Sequence, residues 1–281
     1  AVCIAMSGML VSEVQGRMPL VDLARVQMFA AFLMTAVASL VVGGWRTVEV
    51  WQIGYLGASS LFGIIIASTT YFAAIYTAGP RMTALLFSLA APFAVVLGYL
   101  FLGETLTGRQ GIGIACVLLG ILLAVGLRSS SKAATVEKVS LLGIALGVVT
   151  ALGQALGSLT ARPVMAEGVE PFTAMAVRSG FAALFFLLLM FVPHPALKPA
   201  PQIAPRALGL AVGSAFFGTG LGMSLLMAAL AHGNVGIVST LSSMTPIVIL
   251  PMVWARTGNV PPAPAWIGAA LAVVGTGLIS L

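Results

Sequence analysis

Apolar residues run in long stretches with brief polar punctuation. They show neither the alternation of a half-buried strand nor the narrow stripe of a surface helix. Read by that punctuation, the chain divides into ten apolar segments, roughly 1–16, 20–43, 52–76, 80–102, 109–127, 140–161, 171–192, 207–231, 233–254 and 265–281. A helix needs about 20 apolar residues to cross the hydrocarbon core, so the pattern predicts an all-α polytopic membrane protein with ten transmembrane helices. The first segment falls short, at roughly 24 Å for a rise of 1.5 Å per residue, and reads as a helix whose start is missing. Gly16, Arg17 and Pro19 close it, and Gly43, Gly44, Trp45, Arg46 and Glu49 form an interfacial turn. Gly79-Pro80-Arg81 leaves so little chain that segments three and four form an antiparallel hairpin, and His232-Gly233-Asn234 ties eight to nine in the same way. The most polar run, RSSSKAATVEKVS at 128–140, falls near the midpoint. It predicts a first half over 1–127, a linker over 128–139 and a second half over 140–281.

Composition excludes the main alternatives. Apolar types make up 60% of the 281 residues and charged types 7%, against about 25% charged in soluble domains. Thirteen basic and seven acidic side chains cannot cover a water-soluble body of this size, so a soluble enzyme and a disordered chain are excluded. The net charge of +6 does not make nucleic acid a partner, because the basic residues form no stripe. Cys3 and Cys116 stand in separate segments outside any CxxC pattern, and His194 and His232 have no partners at ligand spacing. We expect no disulfide, no metal and no cofactor.

The halves resemble each other. Gly79 and Gly233, Ser88 and Ser242, and Pro92 and Pro246 share an offset of 154. Gly113 and Gly120 match Gly268 and Gly275 at 155, and Arg25 matches Arg178 at 153. Such matches in order point to an internal duplication. Five helices per copy is an odd number, so the second copy enters the membrane inverted. That arrangement belongs to alternating-access carriers, with a site near the midplane between the halves. Glycines spaced i, i+4 (143/147, 153/157, 209/213, 218/222) offer small faces for close helix contact.

The run YTAGPRMTALLFSLAAPFAVVLGYLFLGETLTGRQGIGIACVLLG at 76–120 resembles the drug/metabolite transporter superfamily, in its ten-helix EamA branch. The resemblance rests on Ser88 and Pro92 in helix four, Gly103-Glu104 at its end, and Gly113 and Gly120 in helix five. The second copy keeps Ser242, Pro246, Gly268 and Gly275 but has Gly258 or Asn259 in place of the glutamate. Within the branch the chain looks most like bacterial amino-acid exporters. The resemblance implies a carrier of the bacterial inner membrane with both termini cytoplasmic, and a cavity lined by helices one, three, four, six, eight and nine. The basic residues argue against that orientation. Loops that would face outward carry Arg17, Arg81, Arg128, Lys132, Lys138, Lys198, Arg206 and Arg256, and inward loops only Arg46, Arg109 and Arg162.

Ionisable groups inside a bilayer are costly and point to function. Here the acids all fall near helix ends or in loops. Glu13 alone is a candidate for proton or substrate coupling, and the alternative is an i, i+4 ion pair with Arg17. Arg25 and Arg178 are the deepest basic residues, expected to snorkel to the interface or to cap nearby carbonyls. An uncharged cavity suits a neutral or zwitterionic solute. Candidate substrate-binding residues are Ser68 and Tyr71 in helix three, Ser88 in four, Gln154 and Ser158 in six, Phe217 and Ser224 in eight, and Ser239, Ser242 and Ser243 in nine. Gln154 reads as the only amide in the middle of a span, and needs an interior partner. Each hydroxyl has the alternative of bonding back to its own helix. Pro92 and Pro246 each remove a backbone bond. They are candidate hinges that would free the carbonyls of Ser88 and Ser242.

These features predict export of amino acids or related neutral or zwitterionic metabolites, by a chain whose partners are a small-molecule substrate and membrane lipid. A monomer suffices and a dimer is compatible. The alternative is a proton-coupled multidrug exporter using Glu13. An intramembrane enzyme would need a Ser/His pair, paired aspartates or a metal cluster, and the sequence offers none of these.

Overall fold

The computed structural model describes residues 1–14, 16–126, 141–193, 197–198, 203–245, 247–248, 251, 254 and 263–280, and among them every regular element is helical. In chain order these are α1 (Val2–Val14), α2 (Leu20–Val42), α3 (Val50–Ser60), α4 (Ala67–Phe87), α5 (Ala90–Leu102), α6 (Gly108–Gly126), α7 (Leu141–Ala166), α8 (Pro171–Leu188), α9 (Pro205–Ala215), α10 (Met223–His232), α11 (Val235–Ser242) and α12 (Ala263–Ser280). Two π-turns, Leu61–Ile66 and Phe216–Gly222, join α3 to α4 and α9 to α10 without a break. Short 3-10 turns cover Gly44–Thr47 and Leu189–Phe191. The expected linker, Pro246, His194 and the Gly258/Asn259 position lie outside the described residues.

Many large apolar side chains face outward, and many of the buried positions are alanine. Val37, Leu40 and Val41 on α2, and Tyr99, Leu100 and Phe101 on α5, are exposed, while Ala24, Ala31, Ala91, Ala94, Ala151 and Ala155 are buried. A bundle in lipid gains little from hiding leucine and gains much from letting backbones approach. Among the described residues six helices are long and apolar enough to cross a membrane: Leu20–Val42, Val50–Ala78, Leu85–Leu102, Leu141–Ala166, Pro171–Phe191 and Pro205–His232. Val2–Val14, Gly108–Leu123 and Trp266–Leu278 are shorter apolar helices.

Helical backbone continues through Gly79-Pro80-Arg81, where the sequence predicts a turn, yet the chain does reverse there. The rings of Tyr71 and Phe87 are 5.7 Å apart, whereas sixteen residues of straight helix would separate them by about 24 Å. Gly143 packs on Thr77 and Ala78, and Gly147 on Leu86, so both arms of the hairpin lie against α7. The actual interruption of the helix falls at Ser88 and Leu89, and a matching one at Ser243 and Met244.

Glycine decides two crossings. A Cβ on Gly157 of α7 would collide with Cα of Gly63 in the first π-turn, and one on Gly120 would lie 2.5 Å from the Gly268 carbonyl oxygen. All four glycines predicted on α7 (143, 147, 153 and 157) meet neighbouring residues of the α3–α4 arm, whereas Gly209 meets nothing within 4 Å.

Helices α2 and α8 run antiparallel. Arg25 Nε donates to the Phe186 carbonyl, Thr35 Oγ1 and Ser179 Oγ lie 3.2 Å apart, and Ser39 Oγ and Thr173 Oγ1 lie 2.6 Å apart. Helices α6 and α12 are also antiparallel, with Gly120 against Gly268 and Ala272, and Gly275 against Gly113 and Cys116. At one end of the bundle Glu104 accepts from the Val235 backbone N–H at 2.8 Å and lies 3.7 Å from Arg162 Nε. A carboxylate at a helix N-terminus satisfies an orphan donor and the helix dipole together.

Candidate functional site: an interior cavity of neutral polar groups

A cavity opens between the two halves. The space available to the centre of a water molecule is about 110 Å³, which holds several waters or a small solute. Its wall is built from α1 (Ile4, Ser7), the first π-turn (Gly63, Ile64), α4 (Ser68, Tyr71, Phe72, Phe87), α5 (Ala90), α7 (Thr150, Gln154, Ser158), the second π-turn (Gly218, Thr219), α10 (Met223, Leu226) and α11 with the residue after it (Ser239, Ser242, Ser243). Gln27 of α2 completes it. No ionisable side chain other than the Tyr71 phenol is among these residues.

Seven of the ten residues expected from the sequence line this space: Ser68, Tyr71, Gln154, Ser158, Ser239, Ser242 and Ser243. Three do not. Ser88 is buried in the break between α4 and α5. Phe217 turns its ring edge-on to Phe216, with centroids 5.1 Å apart. Ser224 bonds back to the Gly220 carbonyl. Ser243 also bonds back, to Ser239 at 2.8 Å, so its hydroxyl proton is committed even though it faces the cavity. Glu13, half-buried at the end of α1, is not in the wall. Because α1 stops at Val14, Arg17 lies beyond the helix and the helical i, i+4 geometry expected with Glu13 does not form.

Gln27 is a second amide on the inside of the bundle, nearer a helix end than Gln154. It is 3% exposed and donates from Nε2 to Ser214 Oγ. Ser7 Oγ donates to the Ser214 carbonyl at 2.9 Å, so one serine ties α1, α2 and α9 beside the cavity. Gln27 comes within two turns of the α2 start and reads by sequence as interfacial; only the packing of α2 on α8 and α9 brings it inside.

The carbonyls expected to be freed by proline are already engaged. The Ser88 carbonyl accepts from Ala91 N at 3.2 Å, and the Ser242 carbonyl from Thr245 Oγ1 at 2.9 Å. A tightened turn and a side chain replace the lost i, i+4 bonds. The two arginines also depart from expectation in different ways. Arg25 caps carbonyls, reaching those of Phe186 and Leu197, and pairs with Asp22 at 2.9 Å. Arg178 neither snorkels nor caps: it is wholly buried.

The π-turns are the feature that sequence reasoning missed. They start 216 − 61 = 155 residues apart, and each gives the cavity a glycine, Gly63 and Gly218. A π-turn breaks the regular backbone ladder and recurs at functional sites. Its signal was present as the Phe-Gly dipeptide at 62–63 and 217–218, at the offset of the other matched pairs.

An apolar exterior around a central compartment lined in part by neutral polar groups defines a multi-pass membrane protein. The EamA-like transporter family matches residues 1–126 and 141–281, and the chain belongs to that family, one of membrane transporters of the drug/metabolite type. A solved structure described as "Crystal structure of protein" superposes with a TM-score of 0.76 at 20% identity, over 99% of this chain and 93% of the other; it bears on the fold alone. No curated protein matches the chain.

Proposed function

We propose that the chain is an alternating-access carrier of the bacterial inner membrane that exports amino acids or related small neutral or zwitterionic metabolites, without enzymatic activity. The observation that carries this reading is the cavity wall, in which amide, hydroxyl and phenol groups from both halves converge and no acid or base does. Such a wall recognises a solute by dipoles and leaves it free to depart. Two inverted five-helix repeats fit the antiparallel packing of the matched pairs α2/α8 and α6/α12, because equivalent helices meet antiparallel only across an axis lying in the membrane plane. The paired π-turns and paired interruptions at Ser88 and Ser243 support the same duplication. The position of Glu13 away from the cavity disfavours the proton-coupled multidrug alternative.

Substrate-binding roles go to Ser68, Tyr71, Gln154, Ser158, Ser239 and Ser242. Counterflow in proteoliposomes with labelled amino acids, sugars and cationic drugs tests the reading. Saturable, pH-gradient-independent exchange of an amino acid is expected, and exchange of cationic drugs alone would sink it. In the same assay Gln154→Leu is expected to raise the half-saturation concentration about tenfold, the equivalent of one hydrogen bond to a charged group, with protein level unchanged. Pro92→Ala is expected to slow exchange at saturating solute because Pro92 stands in the first turn of α5, just after the interruption at Ser88 and Leu89, where it leaves the backbone one bond short. Unaltered flux in that variant would remove Pro92 as a hinge, and Pro246 is its proposed counterpart.

A further inference from the structure

Among the described residues, the second half holds a cation without a counter-ion. Arg178 on α8 has no exposed surface. Its Nη1 meets only the sulfurs of Met175 and Met227, at 3.4 and 3.3 Å, and thioether sulfur is a weak acceptor. Nε and Nη2 have no hydrogen-bond partner. Burying an unpaired charge is costly, so this guanidinium is short of an oxygen acceptor.

The first half shows what completes such a position. Arg25, the match to Arg178 at an offset of 153, has Asp22 at 2.9 Å. The residue matching Asp22 at the same offset is Met175 (22 + 153 = 175). The second copy has kept the arginine and carries methionine where the first carries a carboxylate.

The guanidinium also lies against the cavity. Nη2 is 2.8 Å from where a Cβ on Gly63 would stand, and Gly63 is part of the cavity wall. No side chain at that position separates Arg178 from the compartment. Ser158, another wall residue, has a buried Oγ that also lacks a partner. It follows Gly157, which crosses Gly63 in backbone contact, so two unsatisfied donors flank one crossing.

We propose that Arg178 binds a carboxylate of the transported solute, with Ser158 Oγ as second donor, the solute taking the place that Asp22 fills beside Arg25. This rests on the carrier reading and narrows it to solutes with a free carboxylate. Binding requires the guanidinium to reach the compartment beside Gly63, and a side chain at that position would stand in its path.

The test follows thermal unfolding of the detergent-purified chain against each common L-amino acid, its carboxamide and inorganic phosphate, alongside counterflow of the same compounds in proteoliposomes. At least one amino acid is expected to raise the unfolding temperature, and its carboxamide to have no effect. Arg178→Met removes the charge at similar length, and Met175→Asp installs the carboxylate of the first half. Each is expected to weaken the protection about tenfold or more, while unfolding at or above the wild-type temperature without solute. An arginine with a purely structural role would instead make Arg178→Met less stable without solute and leave the affinity of the folded fraction unchanged. The proposal is overturned if the carboxamide protects as well as the acid, if only phosphate or no compound protects, or if both variants keep wild-type affinity. Should a variant fail to fold, the acid-against-carboxamide comparison on the wild type decides. Protection without saturable counterflow overturns the carrier reading and leaves the Arg178 site standing. Saturable flux that is unaltered in both variants does the reverse.

Discussion

Gly157→Leu is expected to prevent assembly of the bundle. At this crossing α7 meets the first π-turn backbone to backbone, with Gly157 against Gly63 Cα and N and the Ser59 carbonyl. Ser59 Oγ also donates to the Gly157 carbonyl there, at 2.5 Å. Overpacking a core usually costs about 1–3 kcal/mol, because neighbouring side chains shift to make room. Here the obstacle is main chain, which has no rotamer to change, so the helices must separate and the serine bond is lost with them. The chain should elute as aggregate in fluorescence-detected size exclusion, with no cooperative thermal transition. Gly209→Leu is the matched control, since a side chain at Gly209 meets nothing within 4 Å, and it should behave as wild type. A monodisperse Gly157→Leu protein with wild-type thermal stability would show that the two helices do not approach this closely.

Asp22→Leu should have the second largest effect. Asp22 is 3% exposed and its partner Arg25 12%, so removing the carboxylate leaves a largely dehydrated cation. Breaking a buried pair from one side costs about 3–5 kcal/mol. The low end, about 3 kcal/mol, applies because Arg25 keeps the Phe186 and Leu197 carbonyls. The double variant Asp22→Leu/Arg25→Met removes both charges and should regain most of the loss. Equilibrium unfolding in mixed micelles measures all three proteins. If the single variant matches wild type, or the double is no better than the single, the pair within α2 is not the buried, dehydrated one described above.

The all-helical, membrane-spanning character was legible in the sequence because its signals are local. Long apolar runs, the turn residues at Gly43-Gly44 and His232-Gly233-Asn234, and the offsets near 154 each depend on a few neighbouring residues. The tight hairpin at Gly79-Pro80-Arg81 is a middle case: the reversal is where the sequence put it, but the backbone stays helical through it and the interruption moves to Ser88-Leu89. Of the candidate site, the polar stripe of α7 was readable, because Thr150, Gln154 and Ser158 repeat at four-residue spacing and share a face. Ser224 carried the same local signal and ended bonded to the Gly220 carbonyl of its own segment, since a hydroxyl near an open carbonyl bonds locally unless tertiary contacts supply something better.

By itself the sequence determined that this chain belongs in lipid and how its apolar runs are punctuated. Those follow from transfer free energy and backbone conformation, which act residue by residue. Only the tertiary structure decided which polar groups meet. It brought Gln27 inside, gave Arg25 the Phe186 carbonyl and left Arg178 with the Met227 sulfur, and placed Gly63 between that cation and the cavity. Pairing depends on how α2, α7, α8 and the π-turns cross, and in lipid those crossings are set by the contact of surfaces far apart in the chain, to which hydrophobicity along any one helix is blind.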